Sequence, residues 1–245
     1  MVLPLVMGWR HLLFANYPVE PAVVDAHLPE PLAVDTVDGD AWLSVVPFTN
    51  VDVRPKGLPT AVGVDLPELN LRTYVTCDGE PGVYFFSLDA QGVSSVVGAR
   101  LFHHLPYYYA RVRLESDGEG GVRFESRRLH PGDRPAYYRA TYRPSGDAFE
   151  SSEDPLAAFL TERYRFYTEA GDGTLRYTNV AHEPWTLYPA THTTEVNTLF
   201  AADGFAEPAA EPVCYYSPGV DVTASRSDRW VHRDRREPPL AEETA

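Results

Sequence analysis

The residues best suited to chemistry fall in two short stretches. In PELNLRTYV, the side chains of Glu68, Asn70, Arg72 and Tyr74 alternate with Leu69, Leu71 and Thr73. A strand there sets a carboxylate, an amide, a guanidinium and a phenol on one face. Such a row needs buried partners or a wet cavity, because unpaired polar groups are costly away from water. It reads either as a charge-paired network holding the sheet, Arg72 with Glu68 for instance, or as a pocket wall. In the pocket reading Arg72 grips a carboxylate ligand through its planar fork. The second stretch is ARLFHHLPYYYARV, residues 99 to 112, where His103 and His104 precede Pro106 and three tyrosines follow it. In a strand Tyr107 and Tyr109 share a face and Tyr108 opposes them. These rings are either aromatic core with hidden hydroxyls or the wall of a pocket.

Other chemistry is poorly supported. The glycines lie in turns such as DGEGG and form no GxGxxG or GxxxxGK loop, and no GxSxG elbow is present. The eight histidines never reach HExxH spacing. His103 and His104 are adjacent, so their side chains diverge, and His182 and His192 lie ten apart. Neither pair makes a metal site by its spacing, and no metal or cofactor is expected.

Mostly strands are expected to position these residues. AVDTVDGDAWLSVVPF reads as two strands joined across Asp38-Gly39, a pair with strong hairpin preference. Residues 50 to 67 read as loop. ELNLRTYVTC, DGEPG and VYFFSLDA read as a second hairpin, with strands suited to burial on both faces. YARVRLES, VRFESRRL and AYYRATYR alternate as a three-stranded antiparallel meander. The arginines at 111, 113, 123, 127, 139 and 143 resemble a nucleic-acid patch if read alone, but most read better as the solvated face of the meander, paired with surface carboxylates. PAVVDAHLPEPL (21 to 32) and SSVVGARLFHHL (94 to 105) read as short helices, the latter with Val97, Leu101 and Leu105 at four-residue spacing. DPLAAFLTERYRFYTEAGDG reads as a longer helix, capped by Asp154, started by Pro155 and ended at Gly171, with Leu156, Phe159, Leu160, Tyr164 and Tyr167 as its core stripe. One domain is expected over 1–223, with 224–245 a charged, mobile tail.

Composition narrows the function classes. The 245 residues suffice for a real core, and 44% hydrophobic with 12% aromatic content is that of a folded chain. A net charge of −14 argues against nucleic acid or an anionic membrane surface as partner. Lys56 is the only lysine. An acidic, lysine-poor surface suits a high-salt cytoplasm, and a GC-rich bacterial genome would also favour Arg over Lys; activity or melting temperature that does not rise between low and molar salt counts against the first. Cys77 and Cys214 give no disulfide framework. MVLPLVMGWRHLLF is interrupted by Trp9, Arg10 and His11, lacks a signal-peptide cleavage site and is too short to span a bilayer. A cytoplasmic location is expected.

Several collinear stretches, LLFANYPVEPAVVDAHLP, DGDAWLSVVPF, PELNLRTYV, PGVYFFSLDA, FLTERYRFYT and HEPWTLYPA, together resemble the DUF2071 (YqjF-like) family of uncharacterised prokaryotic proteins. The resemblance runs from about residue 8 to 220. That family is grouped with the acetoacetate decarboxylase-like superfamily. The implied fold is mainly β (α+β): a large curved antiparallel sheet forming a cone-like barrel around a cavity, with a few peripheral helices. Acetoacetate decarboxylases use a lysine that forms an imine with a keto acid and is activated by desolvation or a neighbouring cation. GARLFHHLPYY is similar to the stretch carrying that lysine pair, with Gly98 and Pro106 as anchors, so the pair falls on Tyr107 and Tyr108. A tyrosine forms no imine. The superfamily's acidic pocket residue falls near Glu68 or Asn70.

The resemblance therefore implies a cavity without the decarboxylase nucleophile. The expected function is binding of a small organic molecule, a carboxylate among the candidates, by Glu68, Asn70, Arg72, Tyr74, His103, His104, Tyr107 and Tyr108, with a homo-oligomer among the assemblies left open. Two alternatives stand beside it. One is an enzyme acting on a keto or enol substrate by Tyr or His acid–base chemistry, with Arg72 as anion clamp. The other is a non-catalytic protein-interaction module.

Overall fold

The computed structural model describes residues 4–91 and 105–231. Among them are fourteen strands in one sheet. Its frame is five long strands: β1 (Leu5–Val19), β3 (Ala41–Pro55), β4 (Val64–Cys77), β5 (Glu80–Ala90) and β13 (Val213–Ala224). The β4–β5 hairpin forms as the sequence implies, turning at Asp78 and Gly79 with φ of 51° and 80°. Asp38 and Gly39 also turn with positive φ, and Val37 bridges Asp40. The short strand before that turn, β2 (Ala33–Val34), nevertheless pairs with β4 and not with β3. Residues 50–67, expected as loop, instead extend β3 to Pro55 and begin β4 at Val64, with a connection between them that carries one 3-10 turn, Thr60–Val62.

The meander is present as β6 (Tyr107–Ser116), β7 (Val122–Arg128) and β8 (Tyr137–Pro144). Ala110, Val112, Phe124, Tyr138, Ala140 and Tyr142 are buried on its inner face. β12 (Thr186–Asn197) joins β8 to β13, and β9 (Phe149–Glu150) pairs with β12. β10 (Arg165–Glu169) lies parallel to β5 and antiparallel to β11 (Leu175–Ala181). β5 and β6 are the other parallel pair; the remaining ladders are antiparallel.

Two further pairings, β4 with β5 and β11 with β13, bend the sheet round on itself. The ring is uneven, so it is not a clean barrel. The wall β1–β3–β4 serves both halves. Its alternate side chains Leu13, Ala15, Val45, Leu69 and Leu71 pack with β6, β7 and β8 in a filled aromatic-aliphatic core. Leu12, Phe14, Val46 and Phe48, from the same strands, point the opposite way. There the wall faces β5, β10, β11 and β13 across a hollow.

The helices are peripheral and short. α1 spans Pro21–Asp25 and α3 Leu199–Ala202. α2 is Pro155–Thr161, with Asp154 accepting from the Ala157 amide as its N-cap. The predicted continuation to Gly171 does not occur: RFYTE is strand β10, inserted between β5 and β11. The core stripe read at helical spacing therefore divides. Leu160 is on the helix, whereas Tyr167 is buried from the strand. Beyond Ser225, where a mobile tail was expected, β14 (Asp228–Arg229) pairs with β11, and Trp230 packs edge-on against Tyr167 and Tyr177. Most of the helix expected at 94 to 105 lies outside the described residues. Among the described residues no helix is long and apolar enough to cross a membrane.

Candidate functional site

The hollow has a volume of about 680 Å³ and walls that are mainly apolar, among them Met7, Trp9, Phe14, Phe48, Phe85, Leu88 and Trp185. Its polar lining comes from Asn50, Glu68, Asn70, Arg72, Tyr107, Arg163, Arg165 and His182. Strand alternation delivers three of these from β4, as the sequence implies: Glu68, Asn70 and Arg72 all face the hollow, although a bulge interrupts the β4–β5 register between Leu71 and Arg72.

Glu68 is 3% exposed. Its Oε2 accepts from the Tyr107 hydroxyl at 2.8 Å and from Asn50 Nδ2 at 3.0 Å, and Asn70 adds a third side-chain hydrogen bond. Burial pushes the Glu68 carboxyl up to about 7 against the pull of those donors. The Tyr107 phenol is raised well above its ordinary value by burial and by the Glu68 carboxylate beside it. Asn70 is 4% exposed, and its Oδ1 has no partner among the described residues.

Arg72 does not pair with Glu68. Its Nη2 donates to the Leu160 carbonyl at 3.1 Å, and its guanidinium carbon lies 5.4 Å and 5.6 Å from the rings of Phe14 and Tyr74. Its Nε has no acceptor among the described residues. The other two arginines of the hollow are ion-paired, Arg163 with Asp35 at 2.8 Å and Arg165 with Glu80 at 3.4 Å. No carboxylate among the described residues lies within ion-pair distance of Arg72.

Tyr74 is expected in the pocket but is not part of its lining. Its hydroxyl donates to Leu160 O at 2.8 Å and contacts Ser44 Oγ at 2.8 Å, because helix α2 covers that end of β4. Trp185 Nε1 donates to Thr161 O at 3.0 Å. Tyr74, Arg72 and Trp185 thus satisfy carbonyls that a helix C-terminus leaves open, fixing α2 over the hollow.

Tyr108 is also placed elsewhere. Neighbours on a strand face opposite ways, and its ring lies 4.2 Å from the Arg128 guanidinium carbon on the other side of the sheet. There Arg128 Nε bonds Asp89 at 2.7 Å and Nη1 bonds Asp203 at 3.1 Å, in an almost fully buried triad. Burial, opposed by Arg128, pushes Asp89 up to about 7. His103 and His104 lie outside the described residues.

The sequence reading missed four lining groups. Asn50 lies in the stretch read as loop. Arg163 and Arg165 flank the unexpected start of β10. His182, considered only as a metal ligand, stacks on Tyr164 with ring centroids 4.7 Å apart and approaches Trp185 at 5.0 Å. Its Nδ1 lies 2.7 Å from Glu183 O, which places a proton on Nδ1 and directs Nε2 to accept when the ring is neutral. Among the described residues no group of three or more His, Cys, Asp or Glu side chains could hold a metal. Lys56 is exposed, just past the end of β3, and is not in the lining.

Comparison with known proteins agrees with this architecture. The model of DUF2071, a family of uncharacterised conserved proteins, matches residues 6–221. The uncharacterised protein YqjF of Bacillus subtilis is 41% identical over 223 residues, 91% of this chain and 90% of that one. Among solved structures, the enduracididine biosynthesis enzyme MppR, complexed with pyruvate, superposes with a TM-score of 0.68 at 12% identity, covering 94% of this chain and 91% of its own. An acetoacetate decarboxylase from Legionella pneumophila gives 0.64 at 13% identity over 94% and 88%. An acetoacetate decarboxylase-like enzyme from Sphingomonas wittichii gives 0.65 at 14% over 93% and 92%. The fold is that of the acetoacetate decarboxylase-like proteins, and the chain belongs to the DUF2071 family.

Proposed function

We propose that the chain binds a small organic acid in the hollow, with its carboxylate at Arg72 and its apolar body against the aromatic walls. The observation that carries this is the state of Arg72: a guanidinium facing a mainly apolar hollow, without the carboxylate partner that Arg163 and Arg165 each have. A charge in such surroundings is best satisfied by an opposite charge with matching hydrogen bonds. The similar fold of MppR, solved with the small carboxylate pyruvate, supports the same reading. Imine chemistry is not part of it, because Tyr107 stands where the resemblance puts the nucleophile and Lys56 lies outside the lining. Acid–base chemistry on the bound molecule is the second reading, favoured by the 2.8 Å Tyr107–Glu68 contact.

Trp9 and Trp185 line the hollow, so their fluorescence reports occupancy. Hexanoate is expected to titrate that signal, with 1-hexanol weaker by about tenfold, the equivalent of ~1.4 kcal/mol. Arg72→Gln is expected to erase the difference between the two. Equal binding of acid and alcohol by the natural protein would overturn the reading.

A further inference from the structure

The hollow holds two uncompensated charges of opposite sign, and they are four residues apart on one strand. Arg72 is the positive one. Glu68 is the negative one: it accepts only from the neutral donors Tyr107, Asn50 and Asn70, and no cation among the described residues pairs with it. A carboxylate offers about four lone-pair positions, so three neutral donors leave room for one more. Beside it, the almost fully buried Asn70 carries an Oδ1 without a donor. The Glu68 end of the hollow thus lacks a positive charge and a donor for Asn70 Oδ1, while the Arg72 end lacks a negative charge.

From this juxtaposition we infer that the hollow takes a zwitterion whose charges are separated by an apolar chain, an ω-amino acid, with its carboxylate on Arg72 and its ammonium between Glu68 and Asn70 Oδ1. The inference rests on the anion-binding reading above and specifies the opposite end of the same ligand. Four residues of strand span about 13 Å between Cα atoms. An α-amino acid, whose charged groups sit on one carbon, reaches only one end. An ω-amino acid reaches toward both, and its methylenes lie against Phe48, Phe85 and Leu88 in between. The raised titration of Glu68 is consistent with a carboxylate that still lacks its counter-ion.

The test uses the full chain and four probes of equal chain length: 6-aminohexanoate, its isomer norleucine, hexanoate and hexylamine, titrated against Trp fluorescence at pH 8 and checked by calorimetry. 6-Aminohexanoate is expected to bind at least tenfold more tightly than each of the other three. Glu68→Gln is expected to remove its advantage over hexanoate while hexanoate binding persists. If hexanoate binds and 6-aminohexanoate does no better, the zwitterion is overturned and the anion reading survives. Norleucine binding as tightly as its isomer overturns the required charge separation. If no probe with a carboxylate binds better than hexylamine, both readings fall. The comparison of probes on the natural protein decides these outcomes even if Glu68→Gln does not fold.

Discussion

The Tyr107 hydroxyl donates to Glu68 Oε2 over 2.8 Å and ties the first residue of β6 to the inner face of β4. This bond spans 39 positions of sequence and joins strands that are not ladder neighbours. It also leaves an acid group inside an apolar hollow, which has a consequence for stability.

Because burial raises Glu68 from 4.5 to about 7, the folded chain holds a proton there that the unfolded chain has already released. Stability from this group is therefore fully present below pH 4.5 and is lost as pH rises through 7. The loss is on the order of 3 kcal/mol, at about 1.4 kcal/mol for each pH unit of difference. Glu68→Gln removes that dependence, whereas the similar contribution of Asp89 persists in both proteins. Urea unfolding at pH 5 and pH 8 is expected to show a smaller decline for Glu68→Gln than for the natural chain. Parallel declines would contradict the burial argument.

Arg128 lies between Asp89 and Asp203 with almost no exposure, under the ring of Tyr108. Removing it strands two buried carboxylates, and breaking a buried pair from one side costs about 3–5 kcal/mol. Arg128→Met is expected to lower stability by that amount in urea unfolding at pH 7. Asp89→Asn leaves Arg128 its bond to Asp203 and should cost less. If Asp89→Asn proves the more damaging change, the triad is not organised around the arginine.

Much of this arrangement can be read in the sequence where the signal is local. Alternation along PELNLRTYV places Glu68, Asn70 and Arg72 on one face, and the meander is visible from its period-two pattern. Tyr74 has the same parity yet is withdrawn from the hollow, because α2, more than eighty residues away, supplies a carbonyl for its hydroxyl. The helix read through to Gly171 shows the converse. Leu156, Phe159, Leu160, Tyr164 and Tyr167 satisfy helical spacing, but RFYTE gains two strand neighbours and buries Tyr167 as β10. Tertiary pairing outweighs local periodicity there. The Asp89–Arg128–Asp203 triad joins three segments distant in sequence, so no spacing rule exposes it.

Helix α2 is short enough that its packing should matter more than its cap. Asp154→Ala removes the Ala157 amide's acceptor and is expected to cost about 1 kcal/mol. Leu160 is fully buried against the aromatic side of the wall, and Leu160→Ala is expected to cost about 2–5 kcal/mol. Chemical unfolding of the two variants checks the order. A larger loss for Asp154→Ala would mean that the cap, and not burial, holds the helix over the hollow.

Position 107 offers the sharpest chemical test. An amine there would sit in the hollow beside Glu68, in the place where the resemblance puts the imine-forming lysine. The natural chain, with a phenol at 107 and Lys56 exposed outside the lining, is expected to give no specific borohydride-trapped adduct with pyruvate. Tyr107→Lys is expected to give one, of the mass of a single reduced imine. In that step the neutral amine adds to the ketone, water leaves, and hydride reduces the C=N bond. The Glu68 carboxylate would hold the new ammonium protonated, so the adduct should grow as pH rises from 7 to 9 and the neutral amine becomes available. Adding Glu68→Gln should shift that growth to lower pH, since it removes the charge that stabilises the ammonium. Mass spectrometry of the intact and protease-cleaved protein locates the adduct. Labelling at Lys56 in the natural chain at the same level would show that the hollow is not what decides the chemistry.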